Sequence, residues 1–282
     1  MNTRQQIRKY FSIGFLLLLF ALSAVTASAE DRLNVTTETQ VSLSGKVHIT
    51  LHLKNISGHP LYSIHPMFHF HHSMEMGNRI EQMQPGESVT IDNDRHPPVV
   101  LSGRYPLVVL LHYQTEPKQK ESILQTYTGS FHHKEPVESV VGGNMEFVQE
   151  GEISKLKIHL NNQSNSLKNV RLMLILPPGL QADKFPGMMT FTLHGGENVY
   201  FETGVQHTQS FRSLTGYYPI HLLLEYGEFL KHYTSEIQSS VYFNPIFDLH
   251  QHWPHLIAMI LFATGLALVY KRRISNLQPK SI

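Results

Sequence analysis

Apolar and polar residues alternate strictly from Val47 to Leu53. Positions 47, 49, 51 and 53 are apolar, and His48, Thr50 and His52 between them are not. A period of two predicts a half-buried strand, because successive side chains of a strand point to opposite faces. Short segments of this kind, separated by Gly, Pro, Asn and Ser, fill the chain from Glu30 to about Trp253, and none of them carries a helical period with caps. Many short strands at regular spacing predict an all-β protein built from β-sandwiches.

Two segments break the pattern. Residues 11–25 are predominantly apolar, follow Arg4, Arg8 and Lys9, and lead to Ala27-Ser28-Ala29. That order predicts a secretory signal peptide over residues 1–29. Pro254 to Tyr270 contains no Asp, Glu, Lys or Arg; Trp253 precedes it and Lys271, Arg272 and Arg273 follow it. As a helix this segment rises about 25 Å, close to the ~30 Å of a hydrocarbon core. The aromatic rims and the basic stop predict one transmembrane helix over 254–270, with a cytoplasmic tail over 271–282.

The pattern also repeats. Residues 46–57 resemble 152–164, residues 83–88 resemble 193–198, and residues 103–113 resemble 216–226, in the same order and offset by about 107 to 113 positions. Three matches in order predict two copies of one domain, over residues 30–135 and 136–245. A juxtamembrane segment, 246–253, then leads to the span.

These residues carry a family resemblance. Leu53-Lys-Asn-Ile-Ser-Gly58, Pro85-Gly-Glu-Ser-Val-Thr-Ile91, and Gly103-Arg-Tyr-Pro-Leu107 before a hydrophobic strand resemble the immunoglobulin-like modules of bacterial surface proteins, the cell-adhesion-related NEW3/CARDB type. The resemblance covers both repeats. It implies two tandem immunoglobulin-like sandwiches with roles in binding, spacing or assembly, and no catalytic residues. It also implies that Tyr105 and Tyr218 stand where a tyrosine corner bonds nearby backbone.

Composition narrows the class further. There is no cysteine, so disulfides, thiolate metal sites, cysteine nucleophiles and blue-copper centres are excluded. An exported chain without disulfides points to a bacterial envelope protein, held in the inner membrane with both domains on the periplasmic side. The formal net charge of +1 gives no footprint for nucleic acid. Asn34, Asn55 and Asn162 begin N-x-S/T triplets, which carry no glycan in such a setting. No Gly-x-Ser-x-Gly, phosphate loop, H-E-x-x-H or dinucleotide fingerprint is present.

The candidate chemistry lies in the histidines, nineteen in all. The repeat aligns residues 61–71 with 167–177, which makes Ile64, Pro66, Phe68 and Phe70 core-facing. His65, Met67, His69 and His71 then face outward, onto a wet surface. Imidazoles two apart on one strand face can converge on one ion, and thioethers favour copper. The candidate ligands are His65, His69, His71, Met74, Met76 and His112, with His112 supplied by the neighbouring strand. No cofactor is otherwise expected; copper or zinc is the open alternative. A separate outward strip, Val108 and Leu110 on one copy with Ile175 and Leu223 on the other, is the candidate partner-binding surface. The expected function is therefore a non-catalytic, membrane-anchored protein that binds or scaffolds another envelope or membrane protein. A periplasmic copper- or zinc-binding accessory protein is the alternative.

Overall fold

The computed structural model describes residues 32–243, apart from 72, 119–121, 151–152, 178, 186 and 208–215. The expected signal peptide, juxtamembrane segment, span and tail lie outside the described residues. Among the described residues no helix is long and apolar enough to cross a membrane. Every regular element described is a strand.

The first eight strands are β1 (Leu33–Val41), β2 (Val47–Asn55), β3 (Leu61–Phe70), β4 (Ser73–Met76), β5 (Ile80–Met83), β6 (Ser88–Asn93), β7 (Ser102–Gln114) and β8 (Ile123–His133). The next eight are β9 (Val141–Glu150), β10 (Ile153–Asn162), β11 (Lys168–Ile175), β12 (Leu180–Ala182), β13 (Met188–Leu193), β14 (Asn198–His207), β15 (Gly216–Glu228) and β16 (Lys231–Phe243). One sheet has the order β1-β2-β6 and another the order β12-β14-β10-β9. A third runs β13-β11-β15-β16-β7-β3-β4, with β5 added on β3 and β8 on β7.

Alternation decides what lies inside. Val47, Ile49, Leu51 and Leu53 of β2 are buried against Ile64, Phe68 and Phe70 of β3 and Tyr105, Leu107, Val109 and Leu111 of β7. A separate core joins Leu156, Ile158 and Leu160 of β10 to Val170, Leu172 and Leu174 of β11 and Ile220, Leu222 and Leu224 of β15. Each core lies between two sheets. The described residues are thus all-β, with two sandwich cores and one sheet that runs through both.

One turn in each of the two aligned stretches is locked by the same kind of contact. Buried Asn55 donates through Nδ2 to the carbonyls of His59 and Met83, and its Oδ1 accepts from the backbone N–H and hydroxyl of Ser57. Asn162 donates in the same way to Ser166 and Leu193, and accepts from Ser164. Two of the three N-x-S/T triplets are therefore turn locks, with the serine needed by the asparagine beside it. Tyr105 makes the corner contact, donating its OH to the Leu101 carbonyl at 2.8 Å. Tyr218 is partly buried against the second core.

Candidate functional site

The two sandwiches meet where β16 pairs in parallel with the start of β7, Lys231 opposite Ser102 and His232 opposite Gly103. Gly103 has φ +139°, and a Cβ there would overlap the His232 carbonyl oxygen, so only glycine lets the strands close. The pairing lays the His232 ring flat on Tyr105, with centroids 4.2 Å apart and planes 4° from parallel. Nδ1 of His232 lies 2.7 Å from the Arg104 carbonyl oxygen. A carbonyl only accepts, so Nδ1 carries the proton and Nε2 points into the junction.

His71 reaches the same place from the end of β3. Its φ of +51° turns it out of the strand's alternation, and its ring stands edge-on to His232 at 4.8 Å. The second sandwich supplies Glu225 on β15 and Arg171 on β11, which are register partners. Arg171 donates to Glu225 Oε1 at 2.7 Å and to the His71 carbonyl at 2.9 Å. Glu225 Oε2 then faces His71 Nδ1 at 3.1 Å and His232 Nε2 at 3.3 Å. Glu225 and His232 are buried, at 4% and 5% exposure. Burial alone raises the Glu225 pKa. Hydrogen bonding from His232 and His71, with the Arg171 guanidinium, outweighs that and holds the carboxyl well below the ordinary carboxylate range.

Beside this cluster the outer faces of the two sandwiches pack on one another. Val108 (0% exposed), Leu223 (3%) and Ile175 (8%) form a third apolar cluster, with Leu110 and Met173 against it. Glu236 of the second sandwich accepts from Thr128 Oγ1 of the first at 2.8 Å and from His221 Nδ1 at 2.7 Å. Burial raises the Glu236 pKa, and these partners bring it below its ordinary value.

No family model and no curated protein matches the chain. Among solved structures, red sea bream transglutaminase aligns at 11% identity over 76% of this chain and 31% of its own, with a TM-score of 0.28. The Salmonella alpha-2-macroglobulin mutant Y1175G aligns at 11% identity over 78% and 17%, and native Escherichia coli alpha-2-macroglobulin at 10% over 77% and 17%, both with a TM-score of 0.28. The chain spans less than a third of the length of each of these structures.

The six residues expected as ligands do not gather at one point. His65 lies opposite His112 in the β3–β7 register. Met74 and Met76 are exposed on β4, opposite His69 and Met67. His71 instead joins Glu225 and His232, the one group of three His or carboxylate donors among the described residues whose ligand atoms lie within 4.8 Å of one another. His69 corrects the expectation of a wet face: it is 6% exposed, because the second sandwich covers this side of β3. Burial lowers its pKa, and burial and then the charge of His65 lower that of His112. The strip of Val108, Leu110, Ile175 and Leu223 is likewise covered within the chain.

Glu225, Arg171 and His232 lie outside the residues that the sequence marks as candidates. Their signal was a carboxylate ending the run Leu222-Leu-Leu-Glu225 and an arginine on the outward side of the strand beside it.

Proposed function

We propose that the chain is a non-catalytic, membrane-anchored envelope protein whose two tandem immunoglobulin-like sandwiches form a stiff arm presenting one apolar hairpin tip to a partner protein. The carrying observation is the two-residue turn between β15 and β16. Phe229 and Leu230 have φ +49° and +62° and are 84% and 83% exposed. A turn with two positive φ values suits Asn-Gly, and left-handed backbone costs side-chain-bearing residues about 1–2 kcal/mol each. Here two large apolar residues take that conformation and gain no burial. Such a double departure from local preference is the mark of a site kept for contact.

Ion pairs flank the tip: Lys168 with Glu228 at 2.6 Å and Lys231 with Glu135 at 2.6 Å. An apolar centre with a charged rim is the ordinary anatomy of a protein interface. β16 spans 13 residues, so about 40 Å of strand separates the tip from Phe243. The charged rim favours an apolar pocket on another envelope or membrane protein over lipid as the occupant. A second reading, a periplasmic metal-binding protein, is supported by the convergence of His71, Glu225 and His232.

The test is site-specific photo-crosslinking in intact cells. A crosslinker at position 229 is expected to give one discrete adduct with a second protein. A crosslinker at Leu43, also fully exposed, is expected to give none. Absence of an adduct from 229, or the same adducts from both positions, would overturn the reading.

A further inference from the structure

We infer that His71 Nδ1, Glu225 Oε2 and His232 Nε2 form a zinc site that clamps the two sandwiches together. The inference is independent of the hairpin tip and goes beyond it.

Three features carry it. The first is convergence. Two imidazole nitrogens approach the same carboxylate oxygen, at 3.1 and 3.3 Å. Zinc bonds of about 2.0–2.1 Å in tetrahedral geometry place neighbouring ligands roughly 3.3 Å apart; these two separations match that spacing, and all three ligand atoms lie within 4.8 Å of one another. The second is lone-pair accounting. With Nδ1 of His232 facing the Arg104 carbonyl, Nε2 is the nitrogen left to face Glu225 Oε2, and a proton or a metal ion lies between them. The third is the outer layer. His232 donates its other nitrogen to a backbone carbonyl and stacks on Tyr105, whose OH is itself bonded to Leu101. Arg171 holds Oε1 of Glu225 and the His71 carbonyl, which leaves Oε2 to face inward. Partners that fix ring tautomer and carboxylate orientation are what ligating residues need.

Two imidazoles with one carboxylate are a familiar zinc set, with a fourth position left for water or an anion. His71 is the most exposed of the three, with 27% of its side chain accessible against 5% for Glu225 and 6% for His232. Arg171 adds positive charge nearby, which favours an anionic fourth ligand. One ligand comes from the first sandwich and two from the second, so the ion bridges the junction.

The competing occupant of the gap is a proton, which would make His232 an imidazolium paired with Glu225. Metal analysis of the full-length protein in detergent separates the two. After dialysis against micromolar zinc, the wild-type chain and a His221→Gln variant are expected to hold one ion each. His221 lies in the same interface but outside the ligand set, so it controls for damage to the packing. His71→Gln and His232→Gln are expected to lose the ion while still melting cooperatively. Cobalt substitution is expected to give visible d–d absorption of tetrahedral strength in the wild type and none in those two variants. Zinc is also expected to raise the wild-type Tm, since it binds the folded state selectively. No bound zinc in the wild type would assign the gap to a proton and overturn the site. Zinc retained in both ligand variants would move it to other histidines, and equal loss in His221→Gln would reduce it to a general effect of the interface.

Discussion

Phe70 shows how much one residue of β3 can be trusted from parity alone. It is fully buried and packs its ring against His96, Tyr105 and Phe131. Phe70→Ala is therefore expected to cost about 3–5 kcal/mol in denaturant unfolding, the usual penalty for emptying an aromatic core site. Its neighbour His69 obeys the same parity and points outward, yet outward here means into the second sandwich. His69→Ala is expected to behave as a core change and not as a surface change of within about 0.5 kcal/mol.

His96 gives the acid response. Ser73 Oγ donates to the Phe70 carbonyl at 3.2 Å, so it accepts from His96 Nδ1 at 2.7 Å. Nε2 of His96 is buried with no hydrogen-bond partner among the described residues, and a proton there finds no acceptor among them. Burial accordingly lowers the His96 pKa, with Glu75 pulling it up and His69 pushing it down. The folded pKa lies below the ordinary 6.5, so the unfolded chain binds the proton first as pH falls. Stability is full above about 6.5 and drains as pH falls from there toward the folded value. Urea midpoints are expected to drop between pH 7.5 and 5.5, and His96→Asn to shrink that drop. An equal drop in the variant would rule His96 out as its source.

At the scale of elements, the hairpin and the junction make opposite demands. Replacing Phe229→Asn together with Leu230→Gly supplies the residues the turn prefers. The double variant is expected to gain about 1 kcal/mol in stability and to lose the crosslinked partner. Gly103→Ala is expected to do the reverse, because its Cβ would push β7 off His232. Hydrogen exchange is expected to show faster exchange at the Lys231 and His232 amides, with the two sandwich cores still protected.

The strands themselves were legible from alternation, since each face answers to a local period of two. The repeat was legible because Asn55 and Asn162 close the same turn with the same partners. The ligand group was not, because it depends on register between strands distant in the chain. Glu225 meets Arg171 through the β11–β15 pairing and His232 meets Tyr105 through β16 and β7, and no local pattern announces either. The His/Met stretch stands out by composition, whereas the burial of its outer face depends on a sandwich whose residues lie 100 or more positions further along the chain.

At the scale of the molecule, the two sandwiches share one interface as well as one sheet. Val108, Ile175 and Leu223 are apolar side chains that would return to water if the halves parted. Burial of each is worth about 1.5–3 kcal/mol, enough to keep cut halves together when added to the Glu225 and Glu236 contacts. Co-expressed fragments 30–138 and 139–243 are therefore expected to co-purify as a one-to-one pair, and Leu223→Asp to release them. Separate elution of the unmodified fragments would show that the cores stand alone.

The thirteen residues of β16 have a mechanical consequence. The strand begins at the exposed hairpin and ends at Phe243, and it is already extended at close to the 3.3–3.6 Å per residue that a polypeptide can reach. Tension applied at the hairpin and resisted at Phe243 runs along covalent backbone with almost no slack to take up. No hydrogen-bond ladder has to unzip and no core has to open before the pull arrives at the other end. The first sandwich joins β16 at its hairpin end, through Lys231 and His232. A pull on Phe229 and Leu230 is thus transmitted to Phe243 by something closer to a wire than a spring.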